Sequence, residues 1–181
     1  MQTLKVNDII KNINDELVFE ASTPDNEFHI KIESYVPYIC TAIHNGENLR
    51  KELQEKIALN KKERWYEEDP YTGSFISSMP IVLIGNDSRY EYDLNRSKEE
   101  CIYELAWGKA VWNKNPTAKE KKISLEKHNA FYKILQTLLK KLESKFNASL
   151  VFDIHSFNYK RYNRLLPVFN IGIGRINKEK F

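Results

Sequence analysis

The stretch PIVLIG, residues 80–85, decides how the rest of the chain is read. Four apolar residues in a row sit between a proline and a glycine. So short a run, with those borders, reads as a strand buried on both faces, because such a strand shows no polar alternation. NDS (86–88) then supplies turn chemistry. Upstream, YICTAI (38–43) has the same character and stops at HNG, while FHIKIESY (28–35) alternates apolar and polar residues and reads as a half-exposed strand. Downstream, SLVFDI (149–154) is a further strand and LPVFNIGIG (166–174) another.

Between these runs the period changes. A charged segment, 48–64, places Leu49, Leu53 and Ile57 at roughly helical spacing. RYEYDLNR (89–96) alternates and reads as a strand or an extended segment of an active site. Residues 97–122 are charged and irregular, broken at Trp107–Gly108 and Pro116. From Ser124, read as an N-cap, an amphipathic helix is expected to about Asn147, with Phe131, Leu135, Leu138, Leu142 and Phe146 as its apolar stripe. Strands interleaved with helices predict an α/β fold, a mixed, mainly parallel central sheet flanked by helices, in a single domain over residues 1–181. Ligands of such sheets sit beyond the carboxyl ends of the strands. His44 and His155 each stand at such an end.

Bulk properties narrow the class. The 181 residues carry 28 basic and 25 acidic side chains, a net charge of +3 that is too small and too mixed for a dedicated nucleic-acid binder. No segment has the apolar length that spans a membrane. The start, MQTLKVNDIIKNINDE, lacks the basic and apolar blocks of a signal peptide. Cys40 and Cys101 form neither a zinc-finger pattern nor a disulfide framework and fit reduced thiols. A cytoplasmic protein is expected, with no nucleic acid and no membrane as partner; oligomeric state is left open.

Of the four histidines, His29 falls in mid-strand and His128 early in the long helix, positions of ordinary structural or solvated residues. His44 and His155 together suit a zinc site, which takes two imidazoles and a carboxylate and leaves a position for water. Carboxylate candidates are Glu47, three residues after His44, and Glu67, Glu68 and Asp69 in YEEDPYTG. Asp153 suits the second ring nitrogen of His155 or His44 from outside the ligand set, or is a buried acid satisfied by backbone amides. SRYEYDLNR carries Arg89, Asp93, Asn95 and Arg96; two arginines on one extended segment suit a carboxylate or a developing oxyanion, or are surface charge. NYKRYNR (158–164) could rim an anionic substrate. There is no phosphate-binding GxxxxGK[ST] loop, no GxGxxG opening a helix, and no nucleophile elbow at Ser156.

Taken in order, AIHNG, EEDPYTG, SRYEYDLNR and DIHSF resemble the N-formylglutamate amidohydrolase family, over roughly residues 38–174. That family is similar to the zinc carboxypeptidases and to succinylglutamate desuccinylase. The resemblance implies a zinc-exopeptidase-like fold, of the phosphorylase/hydrolase-like kind, and a Zn2+ cofactor. His44, Asp69 and His155 would be the ligands, with Glu67 the second match for the acidic position. Glu47 competes, because HNGE is similar to an HxxE arrangement. Arg89 would polarise the scissile carbonyl, and Asn95 and Arg96 would grip a substrate carboxylate. The implied reaction is hydrolysis of the amide of a small anionic N-acyl amino acid such as N-formylglutamate. Members of this kind carry a C-terminal glutamate as general base; here no glutamate after His155 stands in a matching context, and Glu179 lies in a charged tail. The chain is therefore expected to lack the C-terminal part of the family. The alternative is a catalytically incomplete member that binds a small anion or a protein partner without turnover.

Overall fold

The run at 80–85 becomes an inner strand of the sheet. The computed structural model describes residues 1–157. The strand expected over 166–174, the basic segment 158–164 and Glu179 lie outside the described residues. The elements run β1 (Gln2–Thr3), α1 (Val6–Asn14), β2 (Phe19–Ser22), β3 (Phe28–Ile32), β4 (Tyr38–Ala42), α2 (Lys51–Gln54), α3 (Lys61–Trp65), α4 (Thr72–Phe75), β5 (Ile81–Gly85), β6 (Leu105–Ala106), β7 (Lys109–Ala110), α5 (Ala118–Phe146) and β8 (Leu150–Asp153). The main sheet has strand order β1-β2-β3-β5-β4-β8. The β1–β2, β4–β5 and β4–β8 pairs are parallel, and β2–β3 and β3–β5 are antiparallel. This is the mixed, mainly parallel α/β sheet that the apolar runs imply.

The runs lack alternation because both faces of β4 and β5 are covered. Ile39, Ile81 and Leu83 join Ile9 and Ile13 of α1 and Phe131, Ile134, Leu138 and Leu142 of α5 in one core. Cys40, Ala42, Val82 and Ile84 point the other way and pack with Ile76, just after α4. β3 alternates as expected: Phe28, Ile30 and Ile32 are buried, His29 and Lys31 half-buried.

Three expectations are corrected. The long helix starts seven residues before Ser124, at a Thr117 N-cap. Glu120 N–H donates to the Thr117 hydroxyl and the Glu120 carboxylate accepts from Thr117 N–H, a reciprocal pair that satisfies two otherwise orphaned donors. Ser124 lies inside the helix, where its hydroxyl bonds back to the Glu120 carbonyl. Residues 48–64 form two short helices rather than one, because Asn60 and Glu63 make a second capping box that starts α3. Residues 89–96 form no strand; they are a chain of turns held from both sides. The N-terminal α1, β1 and β2 are additional to the expected elements. Among the described residues, no helix is long and apolar enough to cross a membrane.

Candidate metal centre

Parallel pairing brings the two histidines together. Thr41 of β4 is registered with Asp153 of β8, so both chains leave the sheet side by side at its carboxyl edge. His44 follows β4 by two residues and His155 follows β8 by two. Their rings lie 5.1 Å apart, centroid to centroid. Asp69 is held in the loop between α3 and α4: its N–H donates to the His44 carbonyl at 2.9 Å, and its own carbonyl accepts from the Thr72 hydroxyl at 2.7 Å. Ligand atoms of His44, Asp69 and His155 all fall within 4.8 Å of one another.

The hydrogen bonds behind each ring fix which nitrogen faces this centre. His44 Nε2 is 2.7 Å from Asp93 Oδ1, and His155 Nε2 is 2.9 Å from Asp153 Oδ2. An ionised carboxylate only accepts, so both Nε2 atoms carry the hydrogen. That leaves Nδ1 of each ring facing Asp69: His44 Nδ1 at 3.5 Å and His155 Nδ1 at 2.8 Å from Asp69 Oδ2. His44 Nδ1 is buried and has no hydrogen-bond partner among the described residues. That nitrogen and the Asp69 carboxylate, 3.5 Å apart, call for something positive between them, a proton or a metal ion. Ligands held 2.0–2.1 Å from a tetrahedral zinc are about 3.4 Å apart, close to that separation. The donor set, its spacing and the unpartnered His44 nitrogen all fit a divalent ion.

Electrostatics follow the same geometry. Burial would raise the Asp69 carboxyl, but the two imidazoles outweigh it and hold Asp69 down at about 2. Burial would lower the His155 imidazole; hydrogen bonds to Asp153 and Asp69 raise it instead, to about 10. Asp93, fully buried, is likewise held well below the usual carboxylate range by His44 and Arg89 against the effect of burial.

The remaining predicted residues are placed as follows. Glu67 and Glu68 do not join the centre. Glu68 turns toward Ser88 and Arg64, and Glu67 offers its backbone carbonyl to Arg89 Nη1 at 2.9 Å. Glu47 is exposed and pairs with Lys61. Arg89 grips Asp93 Oδ2 through Nε and Nη2, at 3.2 and 2.7 Å. Asn95 is exposed, and its N–H donates to Asp93 Oδ1 at 2.8 Å. Arg96 is exposed and lines a cavity of about 470 Å3 together with Tyr103 and Trp107. The Tyr103 hydroxyl reaches Asp93 Oδ2 at 3.3 Å.

Sequence reasoning missed the role of Asp93. It stands in the segment that reads as substrate-binding, yet its carboxylate orients a histidine 49 positions away. The matching role of Asp153, two residues from its histidine, is visible in DIH alone.

The segment bearing Arg89 and Asp93 is itself clamped. Lys127 of α5 pairs with Asp87 at 2.9 Å and Glu91 at 3.4 Å, and Arg50 Nε with Glu91 at 2.6 Å. Glu91 is buried, so these partners offset a desolvation cost that would otherwise eject it.

A doubly covered α/β sheet with two imidazoles and a carboxylate gathered at the ends of its parallel strands defines a class of α/β proteins whose strand-end side chains could hold a metal ion. A family model described as N-formylglutamate amidohydrolase matches residues 36–179, and the chain belongs to that family. The family is hydrolytic and its substrates are small molecules. No curated protein and no solved structure gives a significant match.

Proposed function

We propose that this chain is a zinc-dependent amidohydrolase, a single domain that cleaves the amide of a small N-acyl acidic amino acid of the N-formylglutamate kind. The observation that carries the reading is the convergence of His44 Nδ1, Asp69 and His155 Nδ1 on one point, with both rings backed by aspartates. When bound, zinc supplies Lewis acidity to the amide carbonyl and lowers the pKa of a coordinated water. Asp93 and Asp153 hold the two imidazoles in the tautomer that ligates. Arg89 fixes Asp93, beside the carbonyl-polarising role that the family resemblance implies for it. Arg96, whose guanidinium pairs with no acid among the described residues, suits the substrate carboxylate, with Asn95 next to it.

Purified protein loaded with zinc and then desalted should hold about one zinc per chain. It should release formate from N-formylglutamate, and a strong chelator should abolish turnover until zinc is restored. His155→Ala should lose both properties. A zinc-loaded chain with no turnover would leave a binding protein; a chain that takes up no zinc would end the hydrolase reading.

A further inference from the structure

LAWGKA, residues 105–110, is a two-residue hairpin: β6 pairs with β7 in the register Leu105↔Ala110 and Ala106↔Lys109. The two loop residues, Trp107 and Gly108, have φ of +49° and +77°. Positive φ at both loop positions marks a type I′ turn, which asparagine followed by glycine satisfies with least strain. Tryptophan does not. A bulky residue in the left-handed region is an outlier, held there by its surroundings, and such outliers cluster where function requires a particular side chain.

The Trp107 ring lies over the Arg89 guanidinium, with Cζ 5.0 Å from the ring centroid. Tyr90 and Tyr103 meet the indole edge-on at 6.1 and 6.3 Å and meet each other at 6.3 Å. Arg89 therefore stands against the indole of a three-ring cluster, and its other side grips Asp93. A cation over an indole face is held electrostatically as well as by contact. The chain of contacts runs from Trp107 to Arg89 to Asp93 to His44. Trp107 is nevertheless 44% exposed, and cavities of about 460 and 470 Å3 open on either side of it.

We propose that Trp107 is a positioning residue: the hairpin accepts backbone strain to press an indole onto Arg89, so that Asp93 keeps His44 Nδ1 aimed at the metal. The proposal rests on the metal reading of His44, but its geometry can be read in the metal-free protein too.

The decisive variant is Trp107→Asn, which installs the preferred Asn-Gly turn and removes the ring. Two readouts are needed besides the melting temperature. One is zinc affinity, by competition with a chromophoric chelator. The other is the NMR signal of the His44 Nε2 proton in metal-free protein, identified by its loss in His44→Gln. The expected result is a melting temperature close to or above that of the wild type, a zinc affinity about tenfold weaker, as loss of support behind a ligand produces, and faster solvent exchange of the His44 proton. Trp107→Phe, which keeps a ring over Arg89, should restore both readouts to within about twofold of the wild type. Unchanged affinity and an unchanged His44 proton in Trp107→Asn would overturn the proposal, and so would a collapse of the melting temperature, which would make the indole a structural prop. A wild-type chain that takes up no zinc would defeat the metal reading, and the His44 proton would still decide the claim about Trp107.

Discussion

A carboxylate cannot donate, and this decides how His155 behaves at the scale of the single residue. It stands between Asp153 and Asp69, bonded to both. Without an ion its ring must carry a hydrogen on each nitrogen, and the two carboxylates hold that imidazolium up to about pH 10. An ion at the centre takes the place of the Nδ1 proton, because only the lone pair can ligate. Zinc uptake near pH 8 should then release about one proton per chain. Calorimetry in two buffers of different ionisation enthalpy measures that number directly. Apparent affinity should also weaken by about tenfold per pH unit as pH falls below 10, the slope of one competing proton. A pH-independent affinity between 7 and 9 would mean that His155 is not a ligand.

Elements fall into those that announce themselves in sequence and those that do not. Buried strands such as β4 and β5 were legible because both faces are apolar and Pro or Gly marks their ends. The histidines were legible as a pair because each follows an apolar run, although β8, before His155, is largely exposed among the described residues. α1 carries Val6, Ile9, Ile10 and Ile13 at helical spacing, but nine residues form too short a pattern to stand out until tertiary packing against α5 supports them. In the segment 86–96 the turn at NDS was legible, but the buried carboxylates of Asp87, Glu91 and Asp93 look like surface charge until Lys127, Arg50 and Arg89 are placed beside them. The start of α5 is legible in TAKE (117–120), a capping-box pattern that Ser124, with Lys127 three residues on, does not share. That start supports a prediction of its own. Lys56 Nζ lies 2.6 Å from Glu120 Oε1, and this contact, with the Thr117 cap, lowers the Glu120 carboxyl from 4.5 to about 2. A carboxyl depressed on folding contributes stability that is present above its unfolded pKa and fades as pH falls toward the folded one. Glu120→Gln keeps the capping geometry and removes the charge. It should melt below the wild type at pH 6, and the gap should close between about pH 4.5 and 2. A gap of constant size across that range would show that Lys56 contributes nothing through charge.

The proposed ligands come from three distant places in the molecule: the end of β4, the loop between α3 and α4, and the end of β8 beyond the long α5 crossover. Gly46, two residues past His44, shows how tightly these parts are laid together. A Cβ there would stand 1.8 Å from the Asn86 carbonyl oxygen, so the loops after β4 and β5 touch backbone to backbone. An ion held by His44, Asp69 and His155 fastens the outermost described strand and one connecting loop to an inner strand, and no such arrangement survives unfolding. Ligand that binds only the folded state stabilises it by about 2.7 kcal/mol at a free concentration one hundred times Kd. For a chain of this size each kcal/mol moves Tm by roughly 2–4 °C, so zinc at that excess should raise Tm by about 5–11 °C, and a chelator should return it to the metal-free value. The control is His44→Ala. Its metal-free Tm should be lower, because Asp93 loses a buried partner, and added zinc should shift it hardly at all. Equal zinc shifts in wild type and His44→Ala would place the ion elsewhere on the protein and separate the family's chemistry from this strand-end centre.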